Sequence, residues 1–397
     1  MAAVDTPKFV VVDQPGQPAH ADVLVEDSSA SATSRLFDSG TLVGKYIIVR
    51  LIAKGGMSEV YEALHQDLHK RVALKVLRPE LRNSAEAHAR FAAEAVNAAS
   101  VSHTNIVDVI DFGAVYGLPY LVMTLLVGRE LAGFYAQHAP VSVPELLDLL
   151  VPVGLAVALG HERGILHRDL KPENIFLHEE AGRIVPKLLD FGVSRMLGAR
   201  RITSKAHVFG TPQYMAPEQA RGEKTVGPRA DQYALGVILY EGLTGRLPRN
   251  AQHPHVLLYS VAFGSFLPPS VHVALPEGLE AVVLRALDRD PSQRYASVHE
   301  LVSALLPYAS PALRAYWTGR QRHGGEPRVG FEPRPMIERV ARAAAVSRST
   351  PVLSVDGLIA RLWQRPSVVG ASLAASLVLT AISLWTVVRC VLQLAEQ

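Results

Sequence analysis

The sequence predicts an α+β protein in which a small antiparallel sheet comes first and a larger helical part follows. Three observations point there. Short runs rich in β-branched and aromatic residues cluster between Gly44 and Met123. Beyond Gly128, apolar residues recur at helical spacing. This ordered texture runs from Gly44 to about Tyr308, between flanks in which such periodicity is weak.

The candidate strands are Tyr46–Ile52, Glu59–Leu64, Arg71–Arg78, Asn105–Asp111 and Pro119–Met123. One helix interrupts them, around Ala85–Ala99. After a turn at Gly128 the helices are Pro144–Arg163, Asp231–Thr244, His255–Val261 and Leu279–Leu287. Residues 1–40 mix Pro, Ser, Asp, Gln and Ala and are expected to form a disordered arm, with one short strand at Phe9–Val12.

Residues 309–366 carry ten arginines against Glu326, Glu332, Glu338 and Asp356, a net of +6, and their Pro and Gly content suggests a linker with one helix near Met336–Val346. Residues 367–388 then run for 22 positions without a charge. At 1.5 Å per residue such a helix is about 33 Å long, enough to cross a hydrocarbon core of about 30 Å. A buried core helix is the alternative, but no remaining domain is expected to enclose a helix apolar all round. A tail, 389–397, closes the chain.

The 397 residues leave ample room for a sizeable core. A formal charge of +3 does not point to nucleic acid. The single cysteine, Cys390, excludes an internal disulfide framework, and no zinc pattern appears among the fifteen histidines. No cleaved secretory signal is expected, because no basic segment precedes an apolar core at the start.

The most informative stretch is His167-Arg168-Asp169-Leu170-Lys171-Pro172-Glu173-Asn174. It sets a carboxylate, a cation and a carboxamide in one short loop. Asp169 and Asn174 stand five apart, a spacing at which one can face a substrate hydroxyl and the other a metal ion. Asp190-Phe191-Gly192 follows with a second metal-binding carboxylate, and Val72-Ala73-Leu74-Lys75 delivers a lysine from a strand. Between the first two strands, Gly55-Gly56-Met57-Ser58-Glu59-Val60-Tyr61 allows close backbone approach to phosphates. In this order these pieces resemble the eukaryotic-type (Hanks-type) protein kinase family. Lys171-Pro172-Glu173 resembles its serine/threonine branch, and the Gly-Gly-Met-Ser-Glu-Val-Tyr string resembles bacterial membrane-anchored members.

The resemblance covers about residues 41–308 and implies a two-lobed fold, a small sheet lobe (41–124) and a larger helical lobe (125–308). It implies ATP and Mg²⁺ as cofactors and protein serine and threonine hydroxyls as substrates. Asp169 would accept or orient the hydroxyl proton and Lys171 would neutralise the moving phosphoryl group. Asn174 and Asp190 would hold magnesium. Gly55, Gly56, Met57 and Ser58 would cover the phosphates, while Ile52, Val60 and Ala73 would enclose the adenine. Met123 would guard the back of that pocket, and Thr124-Leu125-Leu126 would bind the base through the backbone. Lys75 would reach the α- and β-phosphates with Glu94 as its partner. Glu86 competes for that role but lies close to the helix start.

His167 is expected to pack, not to act as a base. Arg168 beside Asp169 implies regulation by an anion on the loop from Asp190 to Glu218. Thr203 and Ser204 are the phosphorylation candidates, whereas Thr211 is expected nearer the substrate and Asp169. Glu218 should pair with Arg294, and Asp231 should tie down the loop backbone. Two departures stand out: Ala53 replaces the family's first loop glycine, and Thr124 replaces its usual acidic hinge residue. The alternative to an active enzyme is a pseudokinase acting as a membrane-anchored scaffold. The arginine-rich flank implies a single inner-membrane span with the kinase domain in the cytoplasm and the linker near anionic lipid. Ser372, Ser376, Thr380, Ser383 and Thr386 share an arc of about 120° at 100° per residue, which would suit a homodimer or simply bond to their own helix.

Overall fold

Alternating side chains make the first third of the chain a sheet with two covered faces. In this computed structural model, which describes residues 35–190 and 212–322, β1 (Leu42–Val43), β2 (Tyr46–Lys54), β3 (Ser58–His65), β4 (Arg71–Leu77), β5 (Val109–Val115) and β6 (Leu118–Thr124) form one sheet in the order β1-β2-β3-β4-β6-β5. All its pairings are antiparallel. Period two sends Tyr61, Leu74 and Val122 to an outer apolar cluster and Val60, Ala73 and Met123 to an inner one. Helix α1 (Ala85–Ser100) covers the inner side through Ala87, Phe91 and Ala95, and Ser84 caps it by accepting from the Ala87 N–H.

The helical lobe is built around α3 (Val143–Glu162), which is apolar all round because neighbours enclose it. Among the described residues it is the one helix long and apolar enough to cross a membrane, yet it is the core helix of this lobe. It packs with α5 (Arg229–Thr244), α7 (Leu279–Ala286) and α8 (Val298–Leu305) in one continuous core. Helices α2 (Leu131–His138), α4 (Pro217–Ala220) and α6 (Pro254–Phe263) complete the lobe. A two-lobed α+β architecture is therefore present, as the kinase resemblance implies.

Several expectations need correction. The strand placed at Asn105–Asp111 begins at Val109. Asn105–Val107 instead run beside the end of β9 (Arg183–Leu188), where the Leu188 N–H donates to the Asn105 carbonyl and the Val107 N–H to the Leu188 carbonyl. Gly128, expected as a turn before a mostly helical region, is instead a strand residue. It starts β7 (Gly128–Glu130), which with β8 (Ile175–Glu180) and β9 forms a second, three-stranded sheet. The arm assigned to residues 1–40 is anchored at its end, for Phe37 is buried in the outer cluster. The linker expected from residue 309 opens with α9 (Pro311–Arg322), started by proline and by the Ser310 hydroxyl, which accepts from Leu313 N–H. Leu313 and Trp317 of α9 pack against the helical core. The strand at Phe9–Val12, the helix at Met336–Val346, the span at 367–388 and the hydroxyls Thr203, Ser204 and Thr211 lie outside the described residues.

Candidate active site

The lysine of β4 meets two carboxylates from different lobes. Lys75 Nζ lies 2.6 Å from Glu94 Oε1 on α1 and 2.7 Å from Asp190 Oδ1 just after β9. Glu86, the rival partner, instead pairs with Arg90 at the surface. The choice follows from helix geometry. Glu94 shares the buried face of α1 with Phe91 and Ala95, whereas Glu86 sits in the exposed first turn.

One ammonium cannot fully compensate two buried carboxylates. Burial opposes the charge on Lys75, but Asp190 and Glu94 outweigh it and hold its pKa above the ordinary lysine value. Burial pushes the Glu94 carboxyl up to about 8 against the pull of Lys75. Burial also opposes the charge on Asp190, yet Lys75 overrides it and keeps that carboxyl below its usual range. Asp190 therefore stays anionic, as a metal ligand must.

The loop 167–174 is held from below by Asp231 of α5. Its carboxylate accepts the N–H groups of His167 at 2.8 Å and Arg168 at 2.6 Å, and meets His161 Nε2 at 2.7 Å. These bonds hold Arg168 at φ 62°, an uncommon conformation for a side chain with a Cβ. His167 is buried and its Nε2 donates to the Leu189 carbonyl at 3.1 Å, a packing role. Asp169, two-fifths exposed, faces outward with Lys171 Nζ 3.1 Å behind it. This sets a proton-accepting oxygen beside a buried cation, the pairing that accepting a hydroxyl proton and steadying a moving phosphoryl group requires.

Asn174 Nδ2 donates to the Asp169 carbonyl at 2.8 Å, which orients the amide so that its oxygen can serve as a metal ligand. The Leu189 N–H donates to the Asn174 carbonyl at 2.8 Å, tying this loop to the segment carrying Asp190. Among the described residues no group of three or more His, Cys, Asp or Glu side chains could hold a metal. A carboxylate and an amide oxygen nevertheless fit magnesium, a hard ion that draws its remaining ligands from phosphates and water. When bound, that ion would offset the charge that phosphate oxygens carry.

Above the loop, Ile52, Val60, Ala73, Met123 and Leu126 share one apolar cluster, with Leu125 packed against it, a lining suited to a flat base. Ala53 is buried in the same cluster opposite Val60, so its methyl packs inward and does not stand in the turn. The turn itself is closed by the Gly55 N–H donating to the Ser58 carbonyl at 2.8 Å. The Met57 carbonyl is engaged too, by the Arg78 N–H at 3.0 Å.

On the far side, Arg294 grips Glu218 through two 2.8 Å bonds, and Gln219 Nε2 donates to the Arg168 carbonyl at 3.0 Å. Among the described residues Arg168 has no carboxylate within ion-pair distance and its Nε is buried without a partner, while its Nη2 donates to the Val226 carbonyl at 3.4 Å. Sequence reasoning missed three contributors: His161, Gln219, and the Tyr214 hydroxyl that donates to Glu241 at 2.6 Å. Tyr214 ends the string Gly210-Thr211-Pro212-Gln213-Tyr214 and Gln219 follows Ala216-Pro217-Glu218, but each of the three meets its partner only through folding.

Comparison with known proteins gives a consistent picture. Residues 46–305 match the family model described as the protein kinase domain. The serine/threonine-protein kinase Pkn1 of Myxococcus xanthus is 41% identical over 269 residues, 67% of this chain and 38% of that protein. The serine/threonine-protein kinase PknB of Mycolicibacterium smegmatis is 38% identical over 272 residues, 67% of this chain and 43% of that protein. A crystal structure of the Mycobacterium tuberculosis PknI kinase domain superimposes with a TM-score of 0.53 at 29% identity, covering 69% of this chain and all of that one. The chain thus spans about two-fifths of the length of the curated relatives it matches.

Proposed function

The chain belongs to the bacterial Hanks-type protein kinase family, and from that membership we propose that it transfers the γ-phosphoryl group of ATP to serine and threonine hydroxyls of proteins. One observation carries the reading: Lys75 is held at once by Glu94 from α1 and Asp190 from the opposite lobe. That arrangement orders the phosphate-facing cation and the metal-facing carboxylate together. Asp169 takes the hydroxyl proton and Lys171 steadies the transferring group, while Asn174 and Asp190 would hold Mg²⁺. Lys75, Glu94, Asp169, Asn174 and Asp190 are all kept in the sequence, which favours an enzyme over a pseudokinase scaffold.

Three finer parts belong to the same reading. Arg168, which meets no carboxylate among the described residues, favours activation by phosphate on Thr203 or Ser204, through autophosphorylation. The uncharged stretch 367–388 and the basic linker favour a single-pass inner-membrane protein with its kinase domain in the cytoplasm. Its Ser/Thr stripe favours a homodimer that raises the local concentration of kinase domains.

Radiolabelled phosphate transfer from Mg·ATP by the full chain tests the central reading. The wild type should label serine and threonine. Asp169→Asn should lose about 10²–10⁴-fold in rate while still binding nucleotide. A chain that binds no Mg·ATP and labels no protein would overturn it.

A further inference from the structure

The segment before β1 is fastened to the hairpin that carries Gly55 and Gly56. Phe37 is 6% exposed, and its ring centroid lies 5.8 Å from that of Tyr61 on the outer face of the sheet. The Tyr61 oxygen accepts the N–H groups of Leu36 at 3.1 Å and Phe37 at 3.2 Å. Its hydroxyl proton goes to Glu59 Oε2, which also accepts from Leu36 N–H at 3.2 Å. Glu59 Oε1 then reaches across the hairpin to Lys54 Nζ at 3.0 Å. Lys54 and Glu59 are the last paired residues before the glycine turn. Three residues past Phe37, the Gly40 N–H donates to the Ile48 carbonyl at 2.8 Å, so the segment is held at both ends.

This fastening answers a mechanical weakness. The β2–β3 ladder has irregularities between Ile48 and Arg50 and between Leu51 and Ala53, close to the tip. Two consecutive glycines at the turn add freedom and no side-chain packing of their own. Backbone pairing alone therefore holds the tip poorly. Glu59, 2% exposed, is a buried carboxylate whose partners come from both arms of the hairpin and from the preceding segment. Removing the segment strips it of a donor and uncovers the ring of Tyr61. Burial and the bond to Glu59 keep the Tyr61 phenol protonated through the neutral range, so it remains a donor to Glu59.

We propose that Leu36 and Phe37 form a strap that positions the nucleotide hairpin: through Tyr61 and Glu59 they fix Lys54 and so the height of the Gly55–Gly56 turn over the phosphates. The strap rests on the kinase reading for the identity of the nucleotide, but its mechanical part stands on the contacts alone. Phe37 and Glu59 are positioning residues that touch no substrate.

The test uses the full chain. Mg·ATP affinity is measured by calorimetry, hydrogen exchange is followed over residues 50–60, and KM is determined separately for ATP and for a peptide substrate. Phe37→Ala should weaken Mg·ATP binding about five- to tenfold and raise the KM for ATP to match. It should speed exchange in the hairpin and leave kcat and the peptide KM within about twofold. Phe37→Leu, which restores an apolar plug, should recover most of the affinity. If Phe37→Ala does not fold, Glu59→Gln takes its place, with the same direction expected. A folded variant with wild-type nucleotide affinity and wild-type hairpin exchange overturns the strap. Should the wild type itself bind no Mg·ATP, the kinase reading fails instead. The exchange comparison between wild type and variant then decides the strap by itself.

Discussion

Removing one partner of the Arg294–Glu218 pair should be among the most damaging single changes in the helical lobe. The guanidinium is fully enclosed and the carboxylate is 3% exposed. Arg294 also donates from Nε to the Asp288 carbonyl and from Nη1 to the Arg229 carbonyl, both at 2.8 Å, and lies 4.9 Å from the Tyr233 ring centroid. Glu218→Ala leaves this cation with neutral carbonyls only. A buried pair broken from one side costs about 3–5 kcal/mol, against a total stability of about 5–15 kcal/mol for a typical protein. At about 2–4 °C per kcal/mol, the melting midpoint should fall by roughly 6–20 °C.

The assay is a double-mutant cycle by urea unfolding of Glu218→Ala, Arg294→Met and the double variant. Because the double variant strands no charge, it should cost less than the sum of the singles by about 2–3 kcal/mol. Salt should change the result little, since neither group faces solvent. The damage should reach activity as well, because α4 carries the Gln219 that holds the Arg168 carbonyl. A Glu218→Ala cost below about 1 kcal/mol, or strictly additive variants, would refute the argument.

Two further predictions concern the loop and the second sheet. Burial opposes the charge on Asp231, but its bonds with His161 and the loop backbone outweigh that and hold its carboxyl below the usual range. Its stabilisation should therefore be present above the ordinary carboxylate pKa of about 4 and be lost as pH falls through the lowered folded value. Asp231→Asn should cost about 2–4 kcal/mol in urea melts at pH 7 and visibly less at pH 3; a gap that does not narrow would contradict the linkage. Gly128 holds φ 133°, and an added Cβ would fall 2.0 Å from the Leu177 carbonyl oxygen. Gly128→Ala should therefore cost at least about 2–3 kcal/mol by thermal melting, and a cost under about 0.5 kcal/mol would show that the β7–β8 pairing yields easily.

Long periodic segments were legible from the chain alone: α3 and α5 begin and end within two residues of their expected bounds. The segment from Asn105 was misplaced because its apolar run fits a strand equally well in either sheet, and only Pro186 and Leu188 claim it. Of the second sheet, β7 has only three residues, and β8 and β9 mix charged residues and a proline into their apolar runs, which blurs the strand pattern. Likewise α9 starts in a stretch whose arginines and prolines suggested a linker, although Leu313 and Trp317, four apart, mark an apolar face.

Local sequence determined which chemical groups are present and in what order, because residues 167–174 are neighbours whatever the rest of the chain does. It also determined where regular elements form, since period two and period 3.6 are written along the chain. The family resemblance named Glu94 for Lys75 and Asp231 for the loop, but only the tertiary structure brought those groups into contact, added Asp190 to the lysine and set Phe37 over Tyr61. Those partners are separated by between 19 and 115 positions. At such separations spacing carries no signal, and burial and charge compensation select the pair.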